Sequence, residues 1–212
     1  MSKHTTYSVL EEKINIYSHL LGGVLSAVAF VLLLLKGLND PKLLHLFSYC
    51  VFSLSMIFLY FSSANYHRTV DIKKRYRLKV VDHCAIYVLI AGSYTPFALI
   101  TMIDQGGWLL FAISWSFAAV GITLKLFFTG RFKVISTLMY VAMGWLIIFF
   151  VKPLIQSFSA DGIFWLVMGG LSYTAGAVIY LIKKIPFNHA IFHVFVLAGS
   201  ISIFLSVYWY VG

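Results

Sequence analysis

Residues 189–211 read HAIFHVFVLAGSISIFLSVYWYV, an apolar run long enough to cross a bilayer, since a spanning helix needs about 20 apolar residues. His189 and His193 stand in its first two turns, four residues apart. Their side chains therefore project from one face of the predicted helix, which is the geometry required of two ligands on one metal ion. Ionisable residues inside hydrocarbon are costly, so this pair is a functional candidate.

The rest of the chain has the same apolar character. Of its 212 residues, 61% are hydrophobic and 11% are charged, and the mean hydropathy is +0.91. Soluble domains carry about 25% charged residues. The composition therefore excludes a soluble globular protein and predicts an integral membrane protein, and the length predicts a single domain over residues 1–212.

Seven apolar runs predict an all-α fold, a bundle of seven transmembrane helices. The first run is longer than a signal peptide and lacks a clear cleavage site, so we expect it to be retained. The predicted spans cover roughly residues 14–35, 43–66, 81–102, 107–128, 134–152, 163–182 and 189–211.

Basic residues fall mostly on one side of this topology, which predicts a cytoplasmic N-terminus and an external C-terminus. The net charge of +9 is then explained by topology, without nucleic acid, and the basic loop 68–79 is expected to touch anionic headgroups. The basic side carries Lys3, Lys13, Arg68, Lys73, Lys74, Arg75, Arg77, Lys79, Lys125, Arg131, Lys133, Lys183 and Lys184, and the other side carries Lys36, Lys42 and Lys152.

The same topology places Ser63, His67, Asp82, His189 and His193 at one depth in the membrane. Three imidazoles and one water make a tetrahedral zinc site with an open position. Zinc lowers the pKa of its water to about 7 and polarises a carbonyl oxygen. Asp82 is then a candidate to hold or deprotonate the water, and Ser63 to hydrogen-bond the water or a developing oxyanion.

Simpler interpretations stay open for each residue taken alone. His67 is compatible with snorkelling or helix capping, and the histidine pair with hydrogen bonds between helices, as is His19 in the first span. Asp82 is compatible with an N-cap or an ion pair with Arg77 or Lys79. Ser63 is compatible with helix packing.

Three motifs together resemble a known family. They are Ser63-x-x-x-His67, the segment Asp82 to Pro96 (DHCAIYVLIAGSYTP), and His189-x-x-x-His193. The chain is similar over all seven spans to the hemolysin III proteins of bacteria and their relatives, the progestin and adipoQ receptors. In the wider superfamily, which includes alkaline ceramidases, three such histidines bind zinc near the cytoplasmic side, and the matching Asp and Ser contact its water.

The resemblance implies zinc bound by His67, His189 and His193, with Asp82 and Ser63 in catalytic positions, in a bacterial cytoplasmic membrane. It leaves three functions open. The first is zinc-dependent hydrolysis of a lipid amide or ester. The second is a non-catalytic sensor of lipid or membrane state that uses zinc structurally. The third is the cytolytic activity in the family name, for which the sequence shows neither a soluble toxin domain nor an amphipathic hairpin.

Overall fold

A computed structural model describes residues 7–129 and 131–212. It contains seven helical spans and, among the residues described, no strand, so the predicted fold class is confirmed. Lys3, counted above on the basic side, lies outside this part of the chain. The helices are α1 Val9–Leu38, α2 Leu43–Arg68, α3 Ile72–Pro96, α4 Trp108–Phe128, α5 Lys133–Gly144, α6 Val151–Ser157, α7 Ala160–Leu181 and α8 Asn188–Tyr210.

Several helices are longer than the apolar runs that predicted them. α3 begins at Ile72 instead of residue 81, because the Asp71 side chain caps it by accepting the Lys74 amide hydrogen at 2.7 Å. The supposed loop 68–79 is thus mostly helix. Lys and Arg are good helix formers, so a helix continues where the hydropathy falls. α1 also extends beyond its predicted span, since Ser8 caps it and it starts at Val9 instead of residue 14.

The fifth span is interrupted, which the sequence pattern did not predict. It consists of α5 and α6 joined by a 3-10 turn, Leu146–Phe150, and it ends at Ser157 instead of residue 152. In the third span the regular α-helix stops at Pro96 and continues as a π-helical turn, Phe97–Thr101. Proline lacks the amide hydrogen that an uninterrupted helix needs, which explains the position of this change.

The helices close into one bundle. α1 to α4 pack against one another in chain order, α7 packs on α8, and α8 returns to α1. α3 is the most deeply buried span. We call the end where α2 stops and α3 and α8 start the histidine end, and the other the opposite end. Which of them faces the cytoplasm stays a prediction from the basic residues.

Candidate metal centre

Two helices supply the three histidines. His67 is in the last turn of α2, and His189 and His193 are in the first two turns of α8. The start of α8 is fixed by Phe187, whose φ of 57° turns the chain, and by Asn188, whose side-chain amide donates to the Tyr180 carbonyl at 3.0 Å. These contacts anchor the first turn of α8 to the end of α7 and thereby fix the register of both histidines.

The three imidazoles converge closely enough to share one ion. Each offers a ring nitrogen within 4.8 Å of the other two, and all three residues are buried. The Nε2 atoms of His67 and His189 are 3.1 Å apart. Tetrahedral zinc with bonds of 2.0–2.1 Å separates its nitrogen ligands by about 3.3 Å, so these residues fit the ion.

A carboxylate orients the first of these imidazoles. The Nδ1 atom of His67 lies 2.7 Å from Oε2 of Glu12, which must accept the hydrogen bond and so leaves Nε2 facing the cluster. Arg75 holds Glu12 in turn through an ion pair and also donates to the His67 carbonyl at 3.2 Å. Histidine ligands of metals are typically held by such a carboxylate.

The role of Glu12 was missed by the sequence analysis. An acidic residue in the first turn of a span that starts at the histidine end was the available signal. Helix capping explains an acidic first turn equally well, so that signal alone does not single the residue out.

Two residues of the N-terminal region stack on the histidines of α8. His19 stacks on His193 with ring centroids 3.6 Å apart, and Tyr7 stacks on His189 at 4.8 Å. Burial raises the pKa of Tyr7, which therefore stays a neutral phenol. Neither ring nitrogen of His19 has a partner among the described residues, so the hydrogen bonds expected between helices are not present.

Asp82 and Ser63 are buried and line the same cavity as His189 and His193. Asp82 is not the N-cap of α3, a role that Asp71 fills. It forms no ion pair with Arg77 or Lys79 within the described part of the chain. It also stands outside the set of three histidines, so the arrangement does not present it as a fourth ligand.

The cavity has a volume of about 500 Å³ and reaches from the histidines into the middle of the bundle. Beyond the polar groups its wall is mainly apolar, formed by residues such as Phe97, Leu154, Ile163 and Ile203. A chamber of this size with a mainly apolar wall and a few polar groups is typical of a small-molecule site.

These features define a seven-helix membrane protein with a buried three-histidine cluster that could form a metal site. The family described as "Haemolysin-III related" matches residues 7–204, and the chain belongs to this family. It is 43% identical over 204 residues to the hemolysin-3 homolog of Bacillus subtilis, covering 96% of each chain. It is 42% identical over 206 residues to hemolysin-3 of Bacillus cereus, covering 97% of this chain and 94% of that protein.

A more distant relative is human. The monocyte to macrophage differentiation factor of Homo sapiens is 27% identical over 168 residues, or 76% of this chain and 68% of that protein. The expected family resemblance is thus confirmed, and so is the integral membrane location.

Proposed function

We propose that this protein is a zinc-dependent hydrolase of lipid amide or ester bonds that acts inside the membrane. The observation that carries the proposal is the cluster of three buried imidazoles, two of which, His189 and His193, line one largely apolar cavity together with Asp82 and Ser63. A structural site would need only the ligands. A carboxylate and a hydroxyl facing the same enclosed space supply the groups that hydrolysis needs.

His67, His189 and His193 would hold the metal, and when bound it supplies Lewis acidity toward a carbonyl and acidifies water near neutral pH. Asp82 holds the attacking water and accepts its proton. The Ser63 hydroxyl donates a hydrogen bond to the developing oxyanion. The apolar wall holds the acyl chain and excludes bulk water, which strengthens both polar interactions.

The test is a lipid-product screen on purified protein reconstituted in liposomes. Asp82→Asn is expected to keep its zinc and lose about 10²–10⁴-fold in turnover, the usual contribution of a general base. Asp104→Asn is the matched control, because Asp104 does not line the cavity. Unchanged turnover in Asp82→Asn would defeat the proposed role of that carboxylate.

A second candidate function is a lipid or membrane-state sensor with a structural zinc. It is favoured by the packing, because α2 and α8 each pack against α1 but share few backbone contacts with each other. A metal held by His67 and the α8 pair would tie these two helices together. This alternative predicts no fatty-acid release from any lipid tested, together with a large loss of thermal stability on chelation.

The names of the two Bacillus relatives refer to a haemolysin. Leakage from protein-free liposomes after addition of purified protein tests for haemolytic activity here. We expect none, because the described residues lie almost entirely within the seven spans. We further propose that the histidine end faces the cytoplasm and that segment 68–79 touches anionic headgroups there.

A further inference from the structure

One wall of the cavity carries four lysines: Lys79, Lys125, Lys133 and Lys183. None of the four forms an ion pair within residues 7–129 and 131–212. Among the residues that the structure describes, Asp82 is the one acidic residue that lines the same cavity. Lys79 lies close enough to both Lys125 and Lys133 for their like charges to repel. The cavity therefore carries four ammonium groups against the single carboxylate of Asp82, which leaves an excess of positive charge.

Lys125 makes this wall hard to explain as a solvated surface. The residue is 6% exposed, near the end of α4, and its ammonium donates to the Ser136 hydroxyl at 2.6 Å. The Tyr140 ring lies 5.7 Å away on another side. A hydroxyl and an aromatic face only partly replace the hydration of an ammonium, so burying it without a carboxylate is costly.

Lys133, at the start of α5, is held in a similar way. Its ammonium lies 3.6 Å from the centre of the Tyr180 ring and 3.3 Å from the Tyr180 carbonyl oxygen. Neither contact supplies an anion to balance the charge. A half-buried cation that lines a cavity and has no ion-pair partner points to a ligand of opposite charge.

An independent observation comes from His83, which lines the same cavity on α3. Its Nδ1 atom is buried and has no hydrogen-bond partner among the described residues. A neutral imidazole with a free ring nitrogen can donate to an anionic oxygen. His83 is not one of the three clustered histidines, so the metal does not account for it.

We propose that this wall binds the phosphate of an anionic glycerophospholipid whose acyl chain occupies the apolar part of the cavity. The ligand is a phosphate because ammonium groups, a hydroxyl and an imidazole together offer donors and positive charge to several oxygens. It is a lipid because the basic wall and the apolar wall of Phe97, Leu154 and Ile203 belong to one cavity. The proposal names the substrate class of the function proposed above and rests on it.

The experiment is native mass spectrometry of the purified protein with four probes: lysophosphatidylglycerol, lysophosphatidylcholine, monoacylglycerol and inorganic phosphate. Lysophosphatidylglycerol is expected to bind the wild type most tightly. Lys125→Gln and Lys133→Gln are each expected to weaken it about tenfold, the usual effect of losing a charged hydrogen bond. Lys184→Gln, an exposed neighbour of Lys183 that does not line the cavity, is expected to change it less than about twofold.

Several outcomes would overturn the proposal. If monoacylglycerol binds as tightly as lysophosphatidylglycerol, the cavity does not recognise a phosphate. If all three lysine variants weaken binding equally, the effect comes from the charge of the protein surface and not from the cavity wall. If inorganic phosphate binds as tightly as the lipid, the ligand of the basic wall is a soluble phosphate and not a phospholipid. If Lys125→Gln fails to fold, Lys133→Gln decides alone.

A final set of measurements distinguishes a failure of the headgroup site from a failure of the proposed hydrolase function. The dependence on Lys133 is expected to persist in chelated protein and in Asp82→Asn. Lysine-dependent lipid binding without any hydrolysis would refute the catalytic proposal alone. Hydrolysis that is indifferent to Lys125 and Lys133 would refute the headgroup site alone.

Discussion

The two ends of the bundle differ in whether their buried polar groups have hydrogen-bond partners. At the opposite end, Lys36 donates to the carbonyls of Tyr208 at 2.7 Å and Val211 at 2.6 Å, and Tyr49 donates to Val211 at 2.7 Å. These bonds satisfy the last carbonyls of α8. At the histidine end, buried atoms of Asn15, His19, His83 and His189 have no partner among the described residues, and the hydroxyl of Ser157 is the one such atom elsewhere.

This difference in hydrogen bonding distinguishes polar groups that maintain the fold from polar groups that have a functional role. A polar group that maintains a fold is expected to have its hydrogen bonds, and unsatisfied buried groups call for an explanation such as a ligand. Lys36 is explained by its carbonyl partners. The groups at the histidine end would be explained by the metal and the ligand that we propose to bind there.

The largest effect is expected from removing a ligand. His193→Ala should lower zinc affinity by more than about 100-fold, beyond the range found for residues that only support a ligand. His45→Ala at the opposite end should keep full zinc, because His45 pairs with Asp40 at 2.6 Å far from the cluster. Metal analysis by mass spectrometry measures both, and equal zinc in the two variants would remove the proposed site.

Glu12→Gln tests the support of His67. Losing the carboxylate that fixes the ring should cost about 10–100-fold in zinc affinity without unfolding the protein. Asp40→Asn breaks the similar carboxylate–histidine pair at the opposite end and should leave affinity unchanged. Competition with a zinc chelator gives the affinities. An equal drop in zinc affinity in both variants would mean that Glu12, like Asp40, affects the metal only through the stability of the protein.

Lys36→Met tests the opposite end. The variant leaves helix-terminal carbonyls of α8 without their donor and should lower stability by about 1.5 kcal/mol, with zinc affinity unchanged. Thermal unfolding in detergent measures the first quantity and chelator competition the second. Lys42→Met is the control, since this exposed lysine makes none of these contacts. Loss of zinc in Lys36→Met would contradict the conclusion that the opposite end has a structural role and the histidine end binds the metal.

The smallest effect concerns pH. The amide of Lys42, followed by His45, lowers the pKa of Asp40 below its usual range. A lowered folded-state pKa gives stability that is present above the unfolded pKa and is lost as pH falls through the folded value. Asp40→Asn should therefore flatten the acidic side of a melting-temperature series. An unchanged slope would show that Asp40 is not responsible for it.

The seven helical spans could be predicted because only helices satisfy the backbone hydrogen bonds of a single chain in hydrocarbon, and hydropathy marks each of them. The start of α3 was missed, since the basic turn from Ile72 to Lys79 is helical without being apolar. The proximity of His67 to the α8 pair could be predicted, because the order and direction of the spans determine the depth of each residue in the membrane. The sequence could not place Glu12 or the stacked ring of His19, because depth does not specify rotation about a helix axis.

We propose that His67, His189 and His193 together bind zinc. X-ray absorption at the zinc edge of the purified, zinc-loaded protein tests it most directly. The predicted spectrum shows imidazole scattering from three nitrogen ligands at about 2.0–2.1 Å and no sulfur, and it changes in His193→Ala. Sulfur scattering at about 2.3 Å, or a spectrum identical in His193→Ala, would contradict the claim.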